Sequence, residues 1–228
     1  MLNYFWEKFS CIAGLFLVIF LALSITAQAV EKKAEGLKSP VRMAVISFQP
    51  LIPAEDQGNT VICPLCGVGY SSGKILKGSE NTVEEVFVDK LHELKEIELI
   101  PADKVQSVYK RIANESLNEP LLNIFKKVGR ELGADVLIVG YVYRYTERDG
   151  YNYSAKHPAS VFFEIHLIKT IDGSIIWRGI FDKTQKSLME DVFQISSFFK
   201  GGGKWMTARQ LTEQGVNKIF ETFPDLEH

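Results

Sequence analysis

Val161–Thr184 reads VFFEIHLIKTIDGSIIWRGIFDKT, two runs of β-branched and aromatic residues joined at Asp172-Gly173. An Asp-Gly pair supplies the positive backbone angles of a tight hairpin turn, so the stretch predicts strands over Val161–Ile171 and Ile175–Thr184. Upstream, Asp135–Glu147 reads as another long strand, and Arg42–Phe48 (RMAVISF), stopped by Pro50 and Pro53, as a buried first strand. Helical spacing fills the interval between them. Thr82 with Glu85 forms a capping-box pattern ahead of Val83, Val86, Phe87, Leu91 and Leu94, which predicts a helix from Thr82 to about Lys95. Ile97–Ile100 suits a short strand. Pro101 permits a second helix along Val105, Val108, Tyr109 and Ile112, and Pro120 a third, which Gly133 ends. Leu51–Glu80 has little periodicity and is expected to be a long loop, a feature usually functional or disordered. Two helices close the chain, one near Leu188–Phe199 and one starting at the Thr207/Gln210 capping pair. The sum is an α/β fold: a single mixed sheet of about five strands packed by helices, with a long N-terminal loop carrying C-x-x-C.

Three of these segments carry a resemblance. Met43-Ala44-Val45-Ile46-Ser47-Phe48, Leu132-Gly133-Ala134-Asp135-Val136-Leu137-Ile138-Val139-Gly140 and Ile168-Lys169-Thr170-Ile171-Asp172-Gly173-Ser174-Ile175-Ile176-Trp177 resemble signatures of one envelope superfamily. It comprises the curli-secretion-channel lipoproteins, the penicillin-binding-protein activator lipoproteins and the amino-terminal domain of the Tol-system periplasmic protein. The resemblance spans about Arg42 to Thr184 and implies a non-enzymatic role, binding partners or assembling at the bacterial envelope. The chain departs from that pattern in its own Leu51–Glu80 loop and in lacking a cysteine directly after its first apolar run.

That apolar run, Cys11–Ile25, follows a short lead containing Lys8 and precedes Ala27-Gln28-Ala29, a small-x-small cleavage pattern. Residues 1–29 therefore read as an export signal. The alternative is an uncleaved membrane anchor, although a spanning helix wants about 20 apolar residues and Ser24, Thr26 and Gln28 interrupt this one. Glu31–Pro40 is a polar lead-in, so residues 30–40 are expected to be a tether and 41–224 a single domain. The protein is expected to be periplasmic or extracytoplasmic, or tethered at the inner membrane if the segment stays. Residues 1–29 hold one charge of each sign, so their removal leaves the net charge of −2 unchanged. That balance argues against nucleic acid, which demands a basic face, and gives no reason for attraction to anionic lipid. Membrane contact is expected only through a retained N-terminal segment. About 200 residues can bury roughly 70% of the unfolded surface, so no disulfide framework is needed for the core.

Cys63-Pro64-Leu65-Cys66-Gly67 is the sharpest local signal. The spacing lets two sulfurs meet each other or one ion, and three readings follow: a local disulfide, favoured in an oxidising compartment, a metal site, or a redox pair. A zinc site normally needs four protein ligands; beyond the two cysteines the histidines available are His92, His157, His166 and His228, and sharing between subunits is a further way to complete such a site. Glu164 and His166 share a strand face with no nearby third ligand and no motif, which predicts an ordinary sheet histidine. Gly69-Tyr70-Ser71-Ser72-Gly73 matches G-x-S-x-G but lacks the strand before and helix after that a nucleophile elbow needs. Gly201-Gly202-Gly203-Lys204 lacks the Ser or Thr and the upstream glycine of a phosphate loop. No catalytic residue and no cofactor is expected, and the protein does not read as an enzyme.

Five of the eight tyrosines lie between Tyr141 and Tyr153. Tyr141, Tyr143 and Tyr145 alternate and are expected on one strand face. Tyr151 and Tyr153 in the Arg148–Pro158 loop, and Phe198, Phe199 and Trp205 beside the Gly201 turn, are the candidate partner-binding residues, since aromatic side chains are enriched at interfaces. The expected partners are other cell-envelope proteins, with self-association a further option.

Overall fold

Val41–Pro50 (β1) is extended because Val41, Met43, Ala44, Ile46 and Phe48 can be buried on both sides of a sheet. In the computed structural model, which describes residues 40–54, 58–151, 154–185 and 205–225, β1 lies parallel to Ile97–Leu99 (β4) on one side and Val136–Thr146 (β5) on the other. Ser160–Lys169 (β8) pairs antiparallel with β5, and Ile175–Thr184 (β9) antiparallel with β8. The result is one mixed five-stranded sheet of order β4-β1-β5-β8-β9. The parallel pairs are linked by helices and the antiparallel pairs by hairpins, as connection length requires. The described residues form one compact unit.

Four helices are described: Ser79–His92 (α1), Ala102–Glu115 (α2), Leu121–Leu132 (α3) and Ala208–Phe220 (α4). Alternation along the strands divides the interior in two. Met43, Ile138, Val142, Phe163, Ile165 and Leu167 join Phe87 of α1 and Leu211 of α4 in one cluster. Ala44, Ile46, Leu137, Val139 and Phe162 join Val105 of α2 and Phe125 of α3 in the other. Pro101 and Pro120 stand directly before α2 and α3, and Gly133 closes α3 at φ 62°, a left-handed conformation suited to glycine. Thr207 and Gln210 make both bonds of a capping box at the start of α4.

The Thr82/Glu85 box does not form. Helix α1 begins about a turn earlier, after Gly78, and Thr82 lies inside it while Glu85 pairs with Arg209 of α4 at 3.1 and 3.2 Å. The expected loop from Leu51 to Glu80 is also partly structured. Thr60–Ile62 (β2) and Gly69–Ser71 (β3) pair as a hairpin, after which residues 73–76 run along the end of β5. There Gly73 N–H and Leu76 N–H donate to the carbonyls of Tyr143 and Tyr145, each at 3.0 Å. The Arg148–Pro158 loop contains a second small hairpin, Asp149–Tyr151 (β6) with Ser154–His157 (β7). The helix expected near Leu188–Phe199 lies outside the described residues.

The three strand tyrosines do not share a face. The β5–β8 register slips between Val142 and Arg144, leaving Tyr143 as an extra residue. A bulge of this kind reverses the alternation beyond it, so Tyr141 and Tyr143 belong to the α2/α3 cluster and Tyr145 to the other. Gly140, two residues before the bulge's start at Val142, is required for a different reason: a Cβ there would meet the Phe48 ring at 2.5 Å. Phe48 is itself buried and packs against Phe87, with ring centroids 6.0 Å apart. Gly140→Ala should therefore destabilise the protein by about 1–3 kcal/mol, read as a lower urea midpoint at unchanged slope.

Candidate functional site

Strand β8 crosses the sheet between two partners, and its sequence puts Val161, Phe163, Ile165 and Leu167 toward α1 and α4. The opposite face then carries Phe162, Glu164, His166 and Ile168. Glu164 and His166 are both fully buried. A carboxylate and an imidazole cannot sit in such a place without partners.

The partners come from a segment about a hundred residues away. The β2–β3 hairpin turns at Cys63–Val68, where Cys63 N–H donates to Val68 O at 2.9 Å and Gly67 N–H to Cys63 O at 3.0 Å. Gly67 takes φ 70°, and the turn points the Cys66 N–H at Cys63 Sγ, 3.5 Å away. Across the gap, Cys63 Sγ lies 3.5 Å from His166 Nε2, and Cys66 Sγ lies 3.7 Å from Glu164 Oε1. His166 Nε2 and Glu164 Oε2 are 3.5 Å apart. The ligand-capable atoms of Cys63, Cys66, Glu164 and His166 all fall within 4.8 Å of one another. Both cysteines are free thiols in the structure. His166 and Glu164 are thus not the isolated sheet pair expected from their sequence, because the hairpin delivers two sulfurs onto them.

Around the four, Tyr143 Oη donates to Glu164 Oε2 at 2.6 Å, Tyr70 Oη to Oε1 at 3.2 Å, and Arg178 Nε of β9 lies 3.4 Å from Oε1. Burial works against a charge on Glu164, but the neighbouring His166 and the hydrogen bond from Tyr143 outweigh it and hold the carboxyl down at about 2. Burial pushes the Cys63 thiol up to about 11, while the backbone N–H groups of Cys66 and Leu65 pull the other way. Tyr70 is pushed up to about 12, by burial and then by the Glu164 charge. Tyr143 is also pushed up, by burial and then by its hydrogen bond to Glu164. Both phenols are therefore neutral donors holding an ionised carboxylate. The ring of Tyr70 also packs edge-on against Tyr143 and Phe162, with centroids 4.9 and 5.2 Å away.

Ser71 is exposed on β3, and the residues after it run along β5 instead of opening a helix, so the elbow geometry of a hydrolase is absent. A cleft of about 350 Å³ between α1 and the β4 edge contains the carboxyl of Glu84, which is engaged by the Phe48 N–H at 2.8 Å. Of the candidate contact residues, Tyr151 stands 84% exposed on β6. Trp205 is half-buried, and its carbonyl accepts a hydrogen bond from Arg148. Tyr153, Phe198 and Phe199 lie outside the described residues.

No protein-family model and no curated protein sequence matches the chain. Among solved structures, it is similar to the hypothetical protein CT253 from Chlamydia trachomatis at 13% identity and TM-score 0.45, over 81% of this chain and 95% of that one. It is similar to the PelC dodecamer from Paraburkholderia phytofirmans at 12% identity and TM-score 0.43, over 81% and 87% of the two chains. The LpoB C-terminal domain from Salmonella enterica aligns at 14% identity and TM-score 0.37, over 69% and 92%.

Tyr143→Phe removes the shortest hydrogen bond to a buried carboxylate while keeping the ring. We expect a loss of about 1.5–3 kcal/mol in urea unfolding. A change within about 0.5 kcal/mol, the range of ordinary surface substitutions, would contradict the role given to the Tyr143 hydroxyl.

Proposed function

We propose that this chain is an exported, non-enzymatic domain that binds other proteins of the bacterial envelope. The reading starts from the N-terminal signal pattern and the three superfamily signatures. Among the described residues, no helix is long and apolar enough to cross a membrane, and we place the working domain in the periplasm.

The observation that carries the binding role is the sheet's last strand. Among the described residues, strand β9 is paired on one side only, by β8. Arg178 and Ile180 stand opposite His166 and Glu164 and share their face of the sheet, and Ile176 is the extra residue of a bulge beside them. Ile176 is 41% exposed and Ile180 37%, with Ile171 at 71% in the turn before them. Single exposed isoleucines are unremarkable, but two of them flanking one arginine on an edge strand offer another chain both free backbone and apolar side chains to cover. A protein partner that adds to this edge or covers its face would bury those side chains. Tyr151 supplies a second contact point at the tip of the β6–β7 hairpin.

A photocrosslinking residue at position 180, in protein produced in the native envelope, should give a discrete crosslinked species that the same residue at exposed Lys110 does not give. Ile180→Asp should remove that association in protein that still folds by circular dichroism; standing opposite Glu164 in the β8–β9 pair, the new carboxylate should also cost about 1 kcal/mol of stability. Equal crosslinking at both positions, or an association insensitive to Ile180→Asp, would overturn the assignment to β9.

A further inference from the structure

We propose that Cys63, Cys66, Glu164 and His166 together bind one zinc(II)-class ion, which fastens the β2–β3 hairpin to the sheet. Three observations lead there independently of the partner-binding reading.

The first is metric. A tetrahedral ion with sulfur at about 2.3 Å and nitrogen or oxygen at about 2.0–2.1 Å has ligand-to-ligand edges of roughly 3.3–3.8 Å. The separations here are 3.5 Å for Cys63 Sγ to His166 Nε2, 3.7 Å for Cys66 Sγ to Glu164 Oε1 and 3.5 Å for His166 Nε2 to Glu164 Oε2. The two sulfur separations also suit thiol hydrogen bonds, but the 3.5 Å between His166 Nε2 and Glu164 Oε2 is long for one, and all three are right for the edges of a coordination shell.

The second is the state of the imidazole. His166 is fully buried, and its Nε2 lies 3.5 Å from both Cys63 Sγ and Glu164 Oε2. Nε2 points into the cluster without a short bond. An ion there would supply the interaction that burial otherwise withholds.

The third is charge. Two thiolates and a carboxylate around a divalent cation leave one negative charge, and Arg178 lies 3.4 Å from Glu164 to balance it. The Cys66 N–H directed at Cys63 Sγ further favours a sulfur anion. Binding would release the two thiol protons to solvent.

The donor set selects the ion. Two sulfurs, one imidazole and one carboxylate suit a borderline-soft tetrahedral ion, whereas calcium and magnesium require oxygen shells. Four protein ligands fill the coordination sphere, the arrangement of a structural site with no open position for substrate. The ion would join Cys63 and Cys66 to β8 residues about a hundred positions along the chain, and so fix the hairpin in place.

The full chain, exported and purified without metal-chelating resin, should contain one zinc per protein by elemental analysis. The metal-free protein titrated with Co²⁺ should develop the visible bands of a tetrahedral ion together with a near-ultraviolet thiolate charge-transfer band. Cys66→Ser, at a half-buried position that tolerates the hydroxyl, should abolish the thiolate band from that residue. It should also weaken zinc binding by more than the about 10–100-fold that loss of an outer-shell partner costs. His166→Gln should do the same, and Cys66→Ala serves if Cys66→Ser fails to fold by circular dichroism. Purified protein with a Cys63–Cys66 disulfide, protein with free thiols and no stoichiometric zinc, a Co²⁺ spectrum lacking thiolate bands, or ligand variants binding zinc as tightly as the parent would each overturn the proposal.

Discussion

A carboxylate buried in the middle of a β-sheet is the constraint on which the rest of this architecture turns. Glu164 has no exposure, lies on a central antiparallel strand and keeps its charge. Burying an unpaired carboxylate would cost more than a domain of this size has in reserve, so the surrounding chain is arranged to satisfy it. Three features of the fold make sense as that arrangement. Tyr143 shares the β5 face of Tyr141, which stands opposite Glu164, and its hydroxyl reaches the carboxylate at 2.6 Å. The β2–β3 hairpin folds back so that Tyr70, Cys63 and Cys66 meet the same group. Strand β9 contributes Arg178 from the edge.

The hairpin also determines what is left uncovered. Helices α2 and α3 occupy one part of this sheet face, and the hairpin brings its own buried residues, Val61 and Cys63, into the same cluster. Beyond Arg178 the face passes to Ile180, with Ile176 in the bulge beside it, and both are exposed. The cluster and the two isoleucines are thus adjacent through one residue, Arg178, whose guanidinium reaches Glu164 while its neighbours two positions away are exposed. An ion in the cluster would set the position of Arg178, which stands between the two isoleucines.

The elements with strong local signals could be read directly from the sequence. Asp172-Gly173 makes its turn, with Gly173 at φ 80° and Asp172 Oδ1 accepting from Ser174 N at 2.8 Å. Gly133 ends α3 and Thr207 caps α4. Thr82/Glu85 misled because the same residue types serve other purposes within a helix: the Glu85 carboxylate found Arg209 instead of a backbone N–H. The bulge at Tyr143 could not be seen, since alternation in sequence is silent about a slip in register. The cluster itself was only half visible. C-x-x-C announced two sulfurs, and Glu-x-His two more donors on one strand face, but they lie about a hundred residues apart and only the folded topology joins them. The available clue was that Glu164 and His166 sit inside an otherwise apolar strand, a pattern that demands a partner from elsewhere.

The central claim is that the hairpin sulfurs and the β8 donors form one coordination shell. X-ray absorption at the zinc edge on the metal-loaded full chain tests it most directly. The account predicts two sulfur scatterers at about 2.3 Å and two nitrogen or oxygen scatterers at about 2.0–2.1 Å, one of them with the outer-shell pattern of an imidazole. A shell of nitrogen and oxygen alone, or one of four sulfurs contributed by two chains, would contradict it.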